Sequence, residues 1–237
     1  MSQLKRKPEP LDNYPYHLPD KPMPAASYVA YAEFLEWADE DTLAEWVDGR
    51  IEMSSPASRR HQEIAGLLYE VFSGFAHLFD LGVVLQSPFQ MKLPGKRGSG
   101  REPDLLFIAK ANLRRLEEGL VRGPADLVVE IVSPESEWRD RHDKFREYAA
   151  GGVPEYWLID PEQHQAEFYR LDDRQHYQSQ LPDQEGRYYS QTLAGFWLKP
   201  EWLWCNPLPR STSVLKTVGG QTYREYLDRL LQSEEEL

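Results

Sequence analysis

One acid in an otherwise apolar run constrains this chain more than any other feature. Residues 127–132 read Leu-Val-Val-Glu-Ile-Val, with Glu130 in their midst. This is the most apolar strand-like segment of the sequence, which makes it the candidate central strand of a sheet. A carboxylate there costs several kcal/mol, on the order expected for a buried charge, unless something compensates it. Two readings are open: a salt bridge to a neighbouring basic residue, or a metal ligand or general base at the end of the strand.

The flanking pattern supplies the elements around it. Tyr31, Phe34, Leu35 and Ala38 recur at helical spacing after Ser27, a residue able to cap a helix. Glu45 to Met53 predicts a hairpin about Asp48-Gly49. Ile64, Leu67, Leu68, Val71, Phe72, Phe75, Leu78 and Phe79 form the stripe of a long amphipathic helix. Strands are predicted over 83–93, over 102–108 with Pro103 at its start, and over 155–160, and strands of a meander over 166–191. Residues 109–123 read as a short surface helix. A charged helix is predicted from Glu137 to Ala150, ended by Gly151-Gly152. Residues 196–204 read as an aromatic packing segment, and 221–231 as a closing helix. The order is that of a mixed α/β domain over 28–204, preceded by a proline-rich mobile arm over 1–27 and followed by a C-terminal extension over 205–237.

Asp104 is a second acid at the start of a buried strand. An Asp after Pro is commonly a turn residue. Beside Glu130 on a neighbouring strand it becomes half of a carboxylate pair able to share magnesium or a similar hard ion, with waters retained. The backbone carbonyl of Ile131 could complete such a site. Lys144 lies on the following helix, four residues after Asp140 and four before Tyr148, so the three share one face. It is either a solvated ion-pair partner of Asp140 or an ammonium placed to stabilise charge on a phosphodiester. His61 is either a structural histidine at a helix start or a group shaping the same site. Glu45 is either a surface acid or a third carboxylate near the metal. Lys92, Lys96, Arg97 and Arg101 make a basic stretch that could meet phosphates.

Composition bounds these readings. The 237 residues carry a formal net charge of −12, which speaks against a protein that merely coats nucleic acid. It does not exclude a nuclease, because metal-holding carboxylates add to the negative count. The single cysteine, Cys205, excludes a disulfide framework within one chain and fits a cytoplasmic protein. No apolar run is long enough to span a membrane, and residues 1–27 lack the apolar core of a secretory signal.

The segments AEWVDGRIEM (44–53), REPDLLFI (101–108), DLVVEIVSPES (126–136) and DKFREYAAGGVPEYWLID (143–160), with His61 and the terminal GFWL (195–198), resemble the Uma2 family of endonucleases in the PD-(D/E)XK superfamily. The resemblance implies a restriction-endonuclease-like αβββαβ core with a mixed central sheet and a C-terminal β-meander. It also implies Mg2+ or Mn2+ held by Asp104 and Glu130. The superfamily lysine is expected two residues after the Glu, where this chain has Val132; Lys144 is the matching position on the next helix. The function so implied is hydrolysis of a nucleic-acid phosphodiester, DNA in the first instance, with Asp104, Glu130 and Lys144 catalytic and Glu45, His61 and Tyr148 supporting. A homodimer would suit the cutting of two strands, though no residue demands one. Two rivals stand beside it. One is a non-catalytic nuclease-fold module that binds nucleic acid or a protein. The other is a carboxylate-pair glycosidase, for which the seven tryptophans would serve as sugar platforms.

Overall fold

A computed structural model describes residues 28–38, 44–53, 57–94 and 99–234. The proline-rich arm, the proposed Ser27 cap, and Lys96 and Arg97 lie outside the described residues. The elements in chain order are helix α1 (Tyr31–Trp37), strands β1 (Ala44–Val47) and β2 (Arg50–Met53), helix α2 (Arg59–Leu78), and strands β3 (Gly82–Gln86), β4 (Gln90–Lys92), β5 (Gly100–Arg101) and β6 (Leu105–Ala109). After a 3-10 turn (Lys110–Arg115) come β7 (Leu120–Arg122) and β8 (Leu127–Ile131). A π-helical turn (Arg139–Lys144) then runs directly into α3 (Phe145–Gly151). The chain continues through β9 (Glu155–Asp160), β10 (Gln165–Leu171), β11 (Tyr177–Gln180), β12 (Tyr188–Tyr189) and β13 (Trp197–Leu198). It closes with α4 (Ser211–Val218) and α5 (Gly220–Glu234).

The main sheet has six strands in the order β11-β10-β9-β8-β6-β3. Strands β3, β6 and β8 are antiparallel in succession, whereas β8 and β9 are parallel because α3 carries the chain back between them. The succession α2-β3-β6-β8-α3-β9 is the αβββαβ core, with β10 and β11 as the meander.

Strand β8 is buried on both faces, which is why its sequence does not alternate in polarity. Leu127, Val129 and Ile131 face α2, where they meet Ile64, Leu68, Val71, Phe72 and Phe75. Val128 faces the other way, into a second core with Leu106, Ile108, Tyr148, Tyr156 and Leu158. Fully burying such side chains is worth about 1.5–3 kcal/mol each. Val214 and Leu215 of α4 and Tyr223 of α5 join the α2 core, so the C-terminal helices cover α2 from outside.

A smaller five-stranded sheet, β2-β1-β5-β4-β7, flanks the second core. The β1–β2 hairpin turns at Asp48 and Gly49, both at positive φ (46° and 80°), as a two-residue hairpin turn of this kind requires. Two expectations fail here. The predicted strand over 83–93 is two strands in different sheets, and Pro88, with no N–H to give a ladder, falls in the break. The predicted surface helix over 109–123 is a 3-10 turn followed by β7, whose Val121 is fully buried. Gly82 opens β3 where a Cβ would stand 2.0 Å from the Ile108 carbonyl oxygen, so only glycine fits that approach. Among the described residues no helix is long and apolar enough to cross a membrane.

Candidate active site

The carboxylate ends of β6 and β8 meet in register. Leu105 opposes Val129 and Leu106 opposes Val128. Continuing that antiparallel register by one residue sets Asp104, just before β6, across from Glu130. Directly opposed side chains have Cβ atoms about 5 Å apart. One Asp104 oxygen, Oδ2, accepts the Ile131 N–H at 2.6 Å and lies 3.2 Å from His61 Nε2. Ser58 caps α2 by accepting the His61 N–H at 3.2 Å, which fixes where that imidazole starts. Burial pushes the His61 pKa down, but the hydrogen bond to Asp104 and the charges of Asp104 and Asp140 outweigh it and raise the pKa overall.

Glu130 is 3% exposed. Its Oε1 accepts the Tyr148 hydroxyl at 2.5 Å and the Lys144 ammonium at 2.9 Å. Lys144 Nζ also lies 3.4 Å from Asp140 Oδ1 and 3.7 Å from Glu45 Oε1. One buried ammonium thus faces three carboxylates. Burial pushes Lys144 down, yet Glu130, Glu45 and Asp140 together raise its pKa, so it stays charged. Glu130 is pushed up to about 8 by burial and by the crowd of Asp140, Asp104 and Glu45, against the pull of Lys144. The π turn brings this about: it places Asp140 and Lys144 inward together, 1% and 4% exposed.

A second cation braces the arrangement from behind. Arg101, fully buried, makes a bidentate pair with Glu147 of α3 at 2.9 and 2.8 Å. Its Nη1 holds Glu45 of β1 at 2.9 Å and Glu52 of β2 at 2.8 Å. The expectation that Arg101 meets phosphates is therefore overturned: three carboxylates consume its donors and no solvent reaches it. Lys92 of the same stretch lies 4.1 Å over the Trp46 ring and 4.6 Å over Tyr31 rather than at the site. Glu45 also accepts the Glu102 N–H at 2.9 Å. Burial raises its pKa, but Lys144, Arg101 and these hydrogen bonds outweigh that and hold it at about 2. Glu102 has no such partners; burial and the Glu45 charge push it up to about 7, against Lys144.

A cleft of about 430 Å³ opens onto these groups. Asp104, Glu130, Ile131, Lys144, Glu45 and His61 all line it, while Tyr148 stands behind Glu130. Glu102, Asp140 and Arg139 line it too. The sequence pattern gives Asp140 only as an ion-pair candidate for Lys144, and it does not single out Glu102 or Arg139 as site residues, since each has other charged residues close by. No tryptophan lines the cleft, and Trp157 is buried in the α2 core, so the sugar platforms that a glycosidase needs are missing from it.

The donor set tests whether a divalent ion fits. Asp104 Oδ1 and Glu130 Oε2 carry no hydrogen bond among the described residues, whereas the other oxygen of each is spent. Two opposed carboxylate oxygens suit a magnesium-type ion that keeps most of its waters. Among the described residues no group of three or more His, Cys, Asp or Glu is placed to form an all-protein cage. The residues present fit a hard ion completed by water and substrate oxygens.

Residues 31–201 match the model of the family described as "Putative restriction endonuclease", Uma2. The chain belongs to the Uma2 family. A crystal structure of a "putative nuclease belonging to DUF820" from Anabaena variabilis superposes with a TM-score of 0.61 at 18% identity, covering 73% of this chain and 96% of the other. That likeness shows the shared restriction-endonuclease-like fold. No curated protein matches.

Proposed function

We propose that this cleft hydrolyses nucleic-acid phosphodiester bonds with the help of Mg2+ or Mn2+ held by Asp104, Glu130 and the Ile131 carbonyl. The observation that carries the reading is the cross-strand opposition of Asp104 and Glu130, each with one carboxylate oxygen left uncommitted. A divalent ion there would supply Lewis acidity to the scissile phosphate and a water acidic enough to attack at neutral pH. The chain's own part is orientation. The Ile131 N–H and His61 fix one Asp104 oxygen, and the Tyr148 hydroxyl fixes one Glu130 oxygen. Lys144 places a positive charge where negative charge grows on the phosphate, and Glu45, itself anchored by Arg101, helps to locate that ammonium. DNA is the substrate expected first, in a cytoplasmic setting, and a homodimer would place two clefts for two strands.

A second reading, a non-catalytic nuclease-fold module, has one observation in its favour: Glu130 Oε1 is already satisfied by both Tyr148 and Lys144, as in a closed structural ion pair. Cleavage of labelled DNA and RNA with magnesium or manganese decides between them. The nuclease reading expects metal-dependent cleavage that Asp104→Ala and Glu130→Ala each reduce by a hundredfold or more. No cleavage by wild type, with no manganese binding by calorimetry, selects the module.

A further inference from the structure

The cleft has a cation that no described residue neutralises. Lys144 is enclosed by three carboxylates and Arg101 by three, Glu45 being common to both. Arg139, at the start of the π turn, lines the same cleft and makes no ion pair or hydrogen bond among the described residues. Its Nε is buried without a partner. A buried guanidinium N–H with no acceptor from the protein is costly unless something else supplies one. An anion with two oxygens at the spacing of the guanidinium fork relieves that cost, and a phosphodiester provides them.

The residue before it is as exceptional. Of the seven tryptophans, Trp138 alone is exposed, at 67%. The indole is not loose: it stacks on the His142 imidazole with ring centroids 3.7 Å apart and planes 14° from parallel. His142 Nδ1 in turn lies 3.2 Å from the Trp138 carbonyl oxygen, which fixes the second ring. An indole so held has no packing duty to the core, yet it is stacked on a second ring and belongs to the residue directly before a cleft-lining arginine in the chain. A preset aromatic face next to a phosphate-seeking cation is the arrangement by which proteins hold single-stranded nucleic acid, base on ring and backbone on charge.

We propose that Trp138 and Arg139 form a nucleotide-binding edge beside the cleft, Arg139 lining it and Trp138 standing outside it, with a substrate phosphate on the Arg139 guanidinium and an unpaired base stacked on the Trp138 indole. This inference rests on the nuclease reading of the cleft and narrows its substrate to single-stranded or locally unpaired nucleic acid. A base within a duplex already has both faces stacked and cannot use the indole without leaving the helix. DNA and RNA strands share the chemistry, so both belong in the test.

The test measures binding of labelled single-stranded DNA, single-stranded RNA and duplex DNA of one sequence to the full chain by fluorescence anisotropy, with calcium present. Cleavage with manganese is followed in parallel. Single strands are expected to bind at least about tenfold more tightly than duplex, and the tighter of the two single strands names the substrate. Trp138→Ala is expected to weaken single-strand binding about tenfold and leave duplex binding unchanged, while Trp138→Phe keeps most of the affinity. Arg139→Gln is expected to weaken every strand and to lower the single-strand salt slope by about 0.7. Unchanged single-strand binding in Trp138→Ala, or duplex bound as tightly as single strand, overturns the proposal. If manganese-dependent cleavage requires Asp104 while the Trp138 variants bind normally, the edge is wrong and the nuclease stands. Trp138-dependent binding without any cleavage by wild type keeps the edge and removes the nuclease.

Discussion

At the scale of single residues, the site is a problem of charge kept out of water. Glu45 shows which way its balance tips. Free in an unfolded chain its pKa is the ordinary 4.5; folded, with Lys144 and Arg101 beside it, it is held at about 2. On acidification the unfolded state therefore takes up the proton first, and folding loses the contribution of the charged Glu45. That contribution, on the order of 3 kcal/mol for a shift of this size, is present above about pH 4.5 and lost as the pH falls towards 2. Glu45→Gln should accordingly be less stable than wild type in urea unfolding at pH 7, with the gap closing between about pH 4.5 and 2.5. A gap that stays constant over that range would show that the charge on Glu45 does not brace the fold. Glu130 could be read from sequence because an acid in an apolar run must be either paired or ligating. Arg139 could not, because residues 139–146 offer Arg139, Arg141 and Arg146 with equal claim beside Lys144. Only the π turn decides which of them faces the cleft. Arg101 was misleading for the same reason: basic neighbours in sequence suggest a phosphate contact, whereas its three acidic partners come from β1, β2 and α3, far along the chain.

At the scale of elements, α2 was legible from its helical stripe and β8 from its unbroken apolar run, whereas the αβββαβ order was implied by the resemblance to Uma2. The strands β4, β5 and β7 were not. Each has only two or three residues, too few for any pattern, and they form a sheet only because α1, the hairpin and the second core hold them there. The ribbon of β12 and β13 is tied on differently, by Glu155 at the start of β9. This fully buried carboxylate accepts the Trp157 indole N–H, the Tyr188 hydroxyl, the Ser190 and Thr192 hydroxyls and the backbone N–H groups of Gln191 and Thr192. Removing it orphans a cluster of donors at once, and each buried donor left bare costs about 1–3 kcal/mol. Glu155→Ala should destabilise the protein by at least about 3 kcal/mol in urea unfolding, and Glu155→Gln by less, because an amide oxygen still accepts. Hydrogen exchange at Gln191 and Thr192 should rise first. Stability within about 1 kcal/mol of wild type would mean that the ribbon is held by its aromatic stacking, as of Tyr188 on Phe168, rather than by Glu155.

At the scale of the whole molecule, 39 acids against 27 Lys and Arg make a net charge of −12, and a polyanion must approach against that field. Proteins that bind nucleic acid through broad basic faces release many counterions, so their affinity falls steeply with salt, by about 0.7 in log K per log salt for each phosphate neutralised on a single strand. This cleft works otherwise. Lys144 and Arg101 are spent on internal carboxylates, which leaves Arg139 as the cation lining it without an acidic partner among the described residues. One or two phosphates are then neutralised, and the slope for a single-stranded oligonucleotide should be small, about −0.7 to −1.4. Screening also weakens the repulsion from the surface acids, which flattens the dependence further. Anisotropy titrations across a range of potassium chloride concentrations, at fixed calcium, measure the slope directly. A slope near −5 would require a basic surface made elsewhere, for which Lys5, Arg6 and Lys7 of the N-terminal arm and Lys96 and Arg97 are the groups to neutralise next. A shallow slope that falls by about 0.7 in Arg139→Gln ties the whole-molecule behaviour to that one guanidinium. An acidic protein would then handle nucleic acid by confining its attraction to a single edge of a single cleft.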